Sequence, residues 1–346
     1  MHEFPVPIGG APLPIDFAPS IVFVVLYALL LPIIIMRVLD RRARCIVLVG
    51  TAMFAIEHIV TFSLRAYASR NAGPRVSPTL EQYFQATFGG GFISIGQDVT
   101  NLFRALLVST TFPTAGSEAA SPPSAHSAGT SVAMQASSAG SSVDARQSTA
   151  PYGGDEEQGK APSSQQLVCV AQEAHEDQPV LRKHIRTCFG IMSILFLAAV
   201  ALGIVAGVDF KSALQSGANS DLVRQTRYAS AGITVAFLAC LLGITVYVLV
   251  AVPRVPKFPV LYLCIVCLLI MIVGLYRIGV TTHSTTSLLS TAPGSQNTTR
   301  EKIAFWILHA APEWISAAML LGINCRRTFK TGFWGDRNSD KPVVEV

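Results

Sequence analysis

"GQDVTNLFRALL", Gly96–Leu107, is the stretch on which the architecture turns. It lies inside an apolar run from about Thr87 to Thr111, but Gln97, Asp98, Asn101 and Arg104 interrupt that run, so hydropathy alone ranks it last among the candidate spans. Six other runs are clear: Ser20–Leu39, Cys45–Leu64, Cys188–Val208, Tyr228–Val252, Phe258–Val280 and Ile303–Ile323. Each has about the 20 residues that carry a helix across ~30 Å of hydrocarbon. Counting the Thr87–Thr111 run gives seven spans; omitting it gives six.

Charge placement decides between the two. Residues 1–19 hold no Lys or Arg, whereas "RVLDRRAR" after the first span holds Arg37, Arg41, Arg42 and Arg44. The positive-inside rule puts the first tail outside and this loop in the cytosol. With seven spans, "RKHIR", "PRVPKFP" and "CRRTFK" also fall on the cytosolic side; with six, the basic segments divide between the two sides. The expected fold is therefore all-α: a polytopic bundle of seven transmembrane helices, N-terminus outside and C-terminus cytosolic.

Composition agrees. Of 346 residues, 51% are hydrophobic and 14% charged, and the mean hydropathy is positive. This is the balance of a chain with lipid as one of its solvents, and it argues against a soluble enzyme. The expected organisation is an outside tail at 1–19, spans one to three within 20–112, spans four to seven within 188–323, and a cytosolic tail at 324–346. Between them, residues 113–187 are rich in Ser, Ala, Gly and Pro; this segment reads as a disordered cytosolic loop that acts as a spacer or receives a cytosolic partner. The formal charge of +5 is spread over the membrane flanks, which leaves nucleic-acid binding without support.

Ionisable groups inside spans cost about 2.5–3.5 kcal/mol each on insertion scales and usually face the bundle interior. The candidates are Glu57 and His58 in the second span, Asp98, Asn101 and Arg104 in the third, and His309 and Glu313 in the seventh. At 1.5 Å per residue, Glu57, His58, Asp98, His309 and Glu313 share one depth. His309 and Glu313, four residues apart, project from one side of their helix. Pro312 removes a backbone donor between them and is expected to kink the span. Tyr276 and Arg277, near the outer end of the sixth span, read as an aromatic-belt residue and a snorkelling cation.

Modification signals are sparse. "NTT" at Asn297–Thr299 is a glycosylation sequon in the last outside loop. Cys325, in "NCRR" at a membrane end, is a palmitoylation candidate, with a free thiol as the alternative. No outside loop carries a cysteine, so a disulfide framework is not expected.

The polar level has two readings: a network that only fixes helix packing, or a cavity for a lipid, small molecule, ion or proton. An intramembrane zinc hydrolase is the enzymatic alternative, but only two histidines lie within spans, so no metal, cofactor or catalytic residue is assigned. A seven-span receptor signalling through the 113–187 loop and the tail is the other alternative.

The end of the chain carries a resemblance. Tyr276–Arg277 in "GLYRIGV", the Pro312–Glu313 centre of "HAAPEWISAAMLLG", and the span ending in "CRRTFKTG" resemble the last two spans of uncharacterised fungal seven-span membrane proteins. They are more distantly similar to the fungal lipid-translocating exporter family, associated with resistance to toxic sterols and lipids. In that family an acid commonly follows the sixth-span arginine and a His-Pro-Gly follows the seventh span. Here Gly279–Val280 and Lys330–Gly332 stand there instead, and the long serine-rich loop is atypical. The resemblance implies architecture more than mechanism. The expectation is a protein of the plasma membrane or an endomembrane, in contact with the lipid bilayer, that handles or senses a lipid or small molecule.

Overall fold

The computed structural model describes residues 2–40, 44–112, 177–252, 255–333 and 335–336. Most of the serine-rich segment, 113–176, and the tail beyond Asp336 lie outside the described residues, so the loop and its expected partner are not addressed by the structure. The described residues within 2–111 and 178–336 form one compact unit.

A 3-10 turn at Pro14–Asp16 leads into α1 (Phe17–Ala28), which breaks and resumes as α2 (Leu31–Leu39) with Pro32 in its first turn. There follow α3 (Val49–Arg70), the short α4 (Ala72–Arg75), α5 (Pro78–Ser109), α6 (Pro179–Val208), the short α7 (Phe210–Ala213), α8 (Gly217–Ala251) and α9 (Lys257–Thr281). The last long helix is composite: α10 (Thr299–Phe305), a π turn at Trp306–Ala310, then α11 (Ala311–Gly322), followed by α12 (Cys325–Thr328). Local chemistry sets several of these ends. Ser77 accepts from the Leu80 amide ahead of Pro78, and Thr298 and Glu301 form a capping box at α10.

Among the described residues, six segments are long and apolar enough to cross a membrane: Pro14–Leu39, Ile46–Arg70, Pro179–Val208, Gly217–Ala251, Lys257–Thr281 and Thr299–Gly322. The surface fits that role. Large apolar side chains such as Leu39, Ile194, Leu197, Val250 and Leu275 face outward, while Arg65, Arg277, His58 and Glu313 are buried. The chain is an all-α polytopic membrane protein. Helix α5, which contains "GQDVTNLFRALL", is not among the six segments because its polar residues lower its hydropathy; it is buried along most of its length, so those residues meet protein.

The long helices alternate in direction. One end of the bundle, the upper end, gathers the N-terminal segment and the turns after α3, α6 and α9; the lower end gathers Arg37, Cys45 and the residues after α11. Small residues let α5 and α6 approach closely. A Cβ added at Gly203 would lie 2.6 Å from the Gly89 carbonyl oxygen, and one at Gly207 would lie 2.2 Å from Ala86 Cα.

Several expected boundaries move. Helix α6 begins at Pro179 rather than Cys188, so residues 179–187 belong to a helix and not to the loop. Helices α5 and α8 likewise start earlier, at Pro78 and Gly217, and α3 runs on to Arg70. Polar turns can continue a helix beyond the apolar stretch that hydropathy detects.

The N-terminal segment packs into the bundle, with residues 4–12 buried in the upper end. Strand β1 (Phe4–Pro5) pairs antiparallel with β2 (Ser284–Thr285). Gly9 and Gly10 adopt φ of 75° and 62°, and a Cβ there would strike Phe305 and the Gln296 carbonyl. Arg65 donates to the carbonyls of Gly9 and Gly10, Lys302 to those of Gly9 and Ala11, and Arg227 to that of Val6. Asp16 closes the network, accepting from Arg65 at 3.2 Å and Lys302 at 2.8 Å.

Gly203→Ala is expected to lower the thermal midpoint in detergent by an amount equivalent to about 1–3 kcal/mol, the usual cost of overpacking. Gly243→Ala, which meets nothing within 4 Å, should leave it unchanged or raise it slightly. Differential scanning fluorimetry of the two variants provides the comparison.

Candidate functional site

The buried face of α3 presents Phe54, His58 and Phe62 at four-residue intervals, which stacks them along the helix. His58 is fully buried, and its Nδ1 sits 3.1 Å from the Phe54 carbonyl oxygen, a bond that uses Nδ1 as the donor. Its Nε2 therefore points onward, 3.5 Å from Oε2 of Glu313 on α11. His309 supplies the other side, with Nδ1 3.3 Å from the same Glu313 oxygen. Glu313 is 0% and His309 1% exposed.

The π turn explains how the last helix contributes both groups. Pro312 has no amide to give to the residue four before it, and the Ala311 amide reaches back to the Trp306 carbonyl, five residues away. The expected disturbance around Pro312 takes this form, a widened turn at Trp306–Ala310 that ends at Ala311. It resets the helical register between α10 and α11 and leaves His309 on the buried side, next to Glu313.

Aromatic rings enclose the trio. Tyr27 lies 5.2 Å and Phe54 3.8 Å from the His58 ring centroid, and Phe305, Phe88 and Tyr276 lie 5.3, 5.6 and 5.7 Å from that of His309. Charge interactions are strengthened in such surroundings, and an unmatched polar atom is costly there. Even so, both Glu313 oxygens, both His309 nitrogens, His58 Nε2 and Tyr27 Oη lack a hydrogen bond of good geometry among the described residues. Their mutual distances are those of ion pairs rather than of a closed hydrogen-bond network.

Glu57 connects this core to the surface. Its Oε2 is 3.6 Å from His58 Nδ1, and its side chain is 38% exposed. It lines an open groove of about 430 Å³ between α3, α5 and α6, whose walls include Tyr83, Thr87, Gly90, Ser94 and Ile204. Glu57, His58, Glu313 and His309 thus form a file of acid and imidazole groups with steps of 3.6, 3.5 and 3.3 Å, open at the Glu57 end. Such a file can share a proton, or bind a cationic or hydrogen-bonding group that enters from the groove. Among the described residues, no group of three or more His, Cys, Asp or Glu is arranged to hold a metal ion.

The other residues of the expected cluster lie elsewhere. Asp98 accepts from both the amide and the hydroxyl of Thr51 at 2.7 Å, so it caps the start of α3 from across the bundle. Thr51 is two turns from His58, about 10 Å along the helix, which separates Asp98 from the histidines. Asn101 accepts from Ser193 on α6. Arg104 pairs at 3.2 Å with Asp336, which Arg186 also grips, so these residues close the lower end. Arg277 does not snorkel: it is 2% exposed, donates to the Gly89 carbonyl at 2.8 Å and lies over the Phe92 ring.

Both modification candidates are buried. Asn297 is 5% exposed, its amide donating to the Leu288 and Ser290 carbonyls and its oxygen accepting from Ala11, so a glycan there is incompatible with this packing. Cys325 is fully buried, and burial pushes its thiol up to about 12, which leaves almost no thiolate for acylation at neutral pH.

Tyr27, Asp16 and Lys302 were not singled out from the sequence. Tyr27 sits in an otherwise apolar run, and Asp16 and Lys302 stand at the ends of apolar runs, where a charged residue ordinarily marks a membrane flank. The paired glycines at 9–10 are the available signal that the N-terminal segment turns sharply.

No family model matches the chain, and neither does any curated protein or solved structure. The functional reading rests on the geometry just described.

Asp98→Ala is expected to destabilise the fold by about 1–2 kcal/mol, the usual range for a lost helix cap, seen as a lower thermal midpoint. Maleimide labelling of the folded protein in detergent at pH 7.5 should spare Cys325, and labelling should reach it once denaturant is added.

Proposed function

We propose that this chain is a seven-span membrane protein, N-terminus outside and C-terminus cytosolic, that handles or senses a lipid or small hydrophobic molecule entering sideways from the bilayer. The third span is α5, whose polar residues are shielded by neighbouring helices, and the orientation follows from the arginines at the lower end. The observation that carries the functional reading is the file from Glu57 at the groove, through His58, to Glu313 and His309 in the core.

Three features support sideways entry. The N-terminal segment fills the upper end, held by Arg65, Lys302 and Arg227. Asp336 ties the lower ends of α5 and α6 together through Arg104 and Arg186. The groove that bears Glu57 is flanked by the outward-facing Met53 and Ile204, the apolar surface that lipid covers. The resemblance of the last two spans to lipid-translocating exporters points to the same class of molecule.

The test is a growth screen of a deletion strain complemented with wild type, Glu57→Gln or Glu313→Gln, challenged with hydrophobic toxicants and lipids. Both variants are expected to reach the membrane at normal levels and to lose at least tenfold in tolerance to the compounds that wild type protects against. Full complementation by both variants would falsify the proposal.

A further inference from the structure

We propose that a crevice at the lower end, between α2 and α3, holds a phospholipid with an anionic headgroup. The first span breaks after Ala28, and Pro32 cannot supply the amide that would carry the helix through. Above the break α1 packs along α3, whereas below it α2 reaches the end of α11. The parting leaves a crevice of about 220 Å³, walled by Ile34, Val38, Ala52 and Leu321.

Its mouth has a different character. Arg37 and Arg44 both line it, and no carboxylate is among the described residues that do. Arg37 is fixed in place, donating to the Ile323 carbonyl beside Cys325. Arg44 is exposed and gives its Nε to the Val38 carbonyl at 2.8 Å, which sets its guanidinium at the rim. The neighbouring outward-facing Ile35, Met36, Leu39 and Met53 mark the edge of the lipid-covered band.

An apolar slot that begins at this edge and two guanidinium groups at its mouth match an acyl chain and a phosphate-bearing headgroup. The charge complementarity selects an anionic lipid over a zwitterionic one, and the apolar walls select a lipid over a free anion. None of these lining residues belongs to the Glu57 groove, so the inference stands apart from the proposed function.

Native mass spectrometry of the full chain in detergent tests it, with phosphatidylglycerol and phosphatidylcholine of matched chains as probes. Wild type is expected to retain phosphatidylglycerol at least fivefold better, the factor that one basic residue near a charged headgroup supplies. Arg44→Gln should reduce that preference about fivefold. Ala52→Leu should fill the slot and reduce retention of both, with Val38→Met as a second filling variant from the opposite wall. Equal retention of the two lipids by wild type overturns the proposal. So does an unchanged preference in Arg44→Gln, unchanged retention in both filling variants, or displacement of phosphatidylglycerol by millimolar inorganic phosphate, which would mark a free-anion site.

Discussion

The upper half of the bundle depends on one buried carboxylate. Asp16 accepts from its own turn at Leu13, from Arg65 on α3, from Lys302 on α10 and from the Trp306 indole, and it is fully buried. A lone charge in such a place would cost several kcal/mol; surrounded by donors, it instead locks three helices and the N-terminal segment to one point. Removing Asp16 would leave two buried cations without the carboxylate that both contact. The positions of Trp306 and of the π turn below it follow from this anchor, and with them the placement of His309.

Helix α5 supplies the second constraint. It is surrounded by other helices, so its polar residues serve as internal fittings: Gln85 bonds the backbone of Ile8, Asp98 caps α3, Asn101 meets α6 and Arg104 holds the tail. Each uses its polarity against a specific neighbour, which is how a polar helix can sit at the centre of an apolar bundle. The His58–Glu313–His309 trio differs in kind. The atoms that face one another are within ion-pair reach but lack good hydrogen bonds, and the trio connects through Glu57 to a groove.

Much of this was legible in the sequence. Apolar run lengths mark the helices, and four-residue spacing puts His309 and Glu313 on one side. Depth counting was less informative. It placed Asp98 level with His58, but Asp98 reaches down to the start of α3 while His58 faces inward two turns higher. Spacing within a helix gives relative direction, and it does not say which neighbour that direction meets. Arg277 shows the same limit, since a cation near a span end can turn either to the interface or to the interior, and here a carbonyl and a ring inside the bundle receive it.

By itself, the sequence determined an all-α membrane chain, because hydrophobic length acts locally and is written along the chain. Only the tertiary structure decided that the N-terminal segment fills the upper end, that Asn297 and Cys325 are buried, and that three of the seven candidate residues form a buried trio with Glu57 at its exit. Those outcomes depend on which backbone carbonyls and carboxylates the long side chains of Arg65, Arg227 and Lys302 can reach. That reach is fixed by helix rotation and by contacts between residues hundreds of positions apart, which no local pattern encodes.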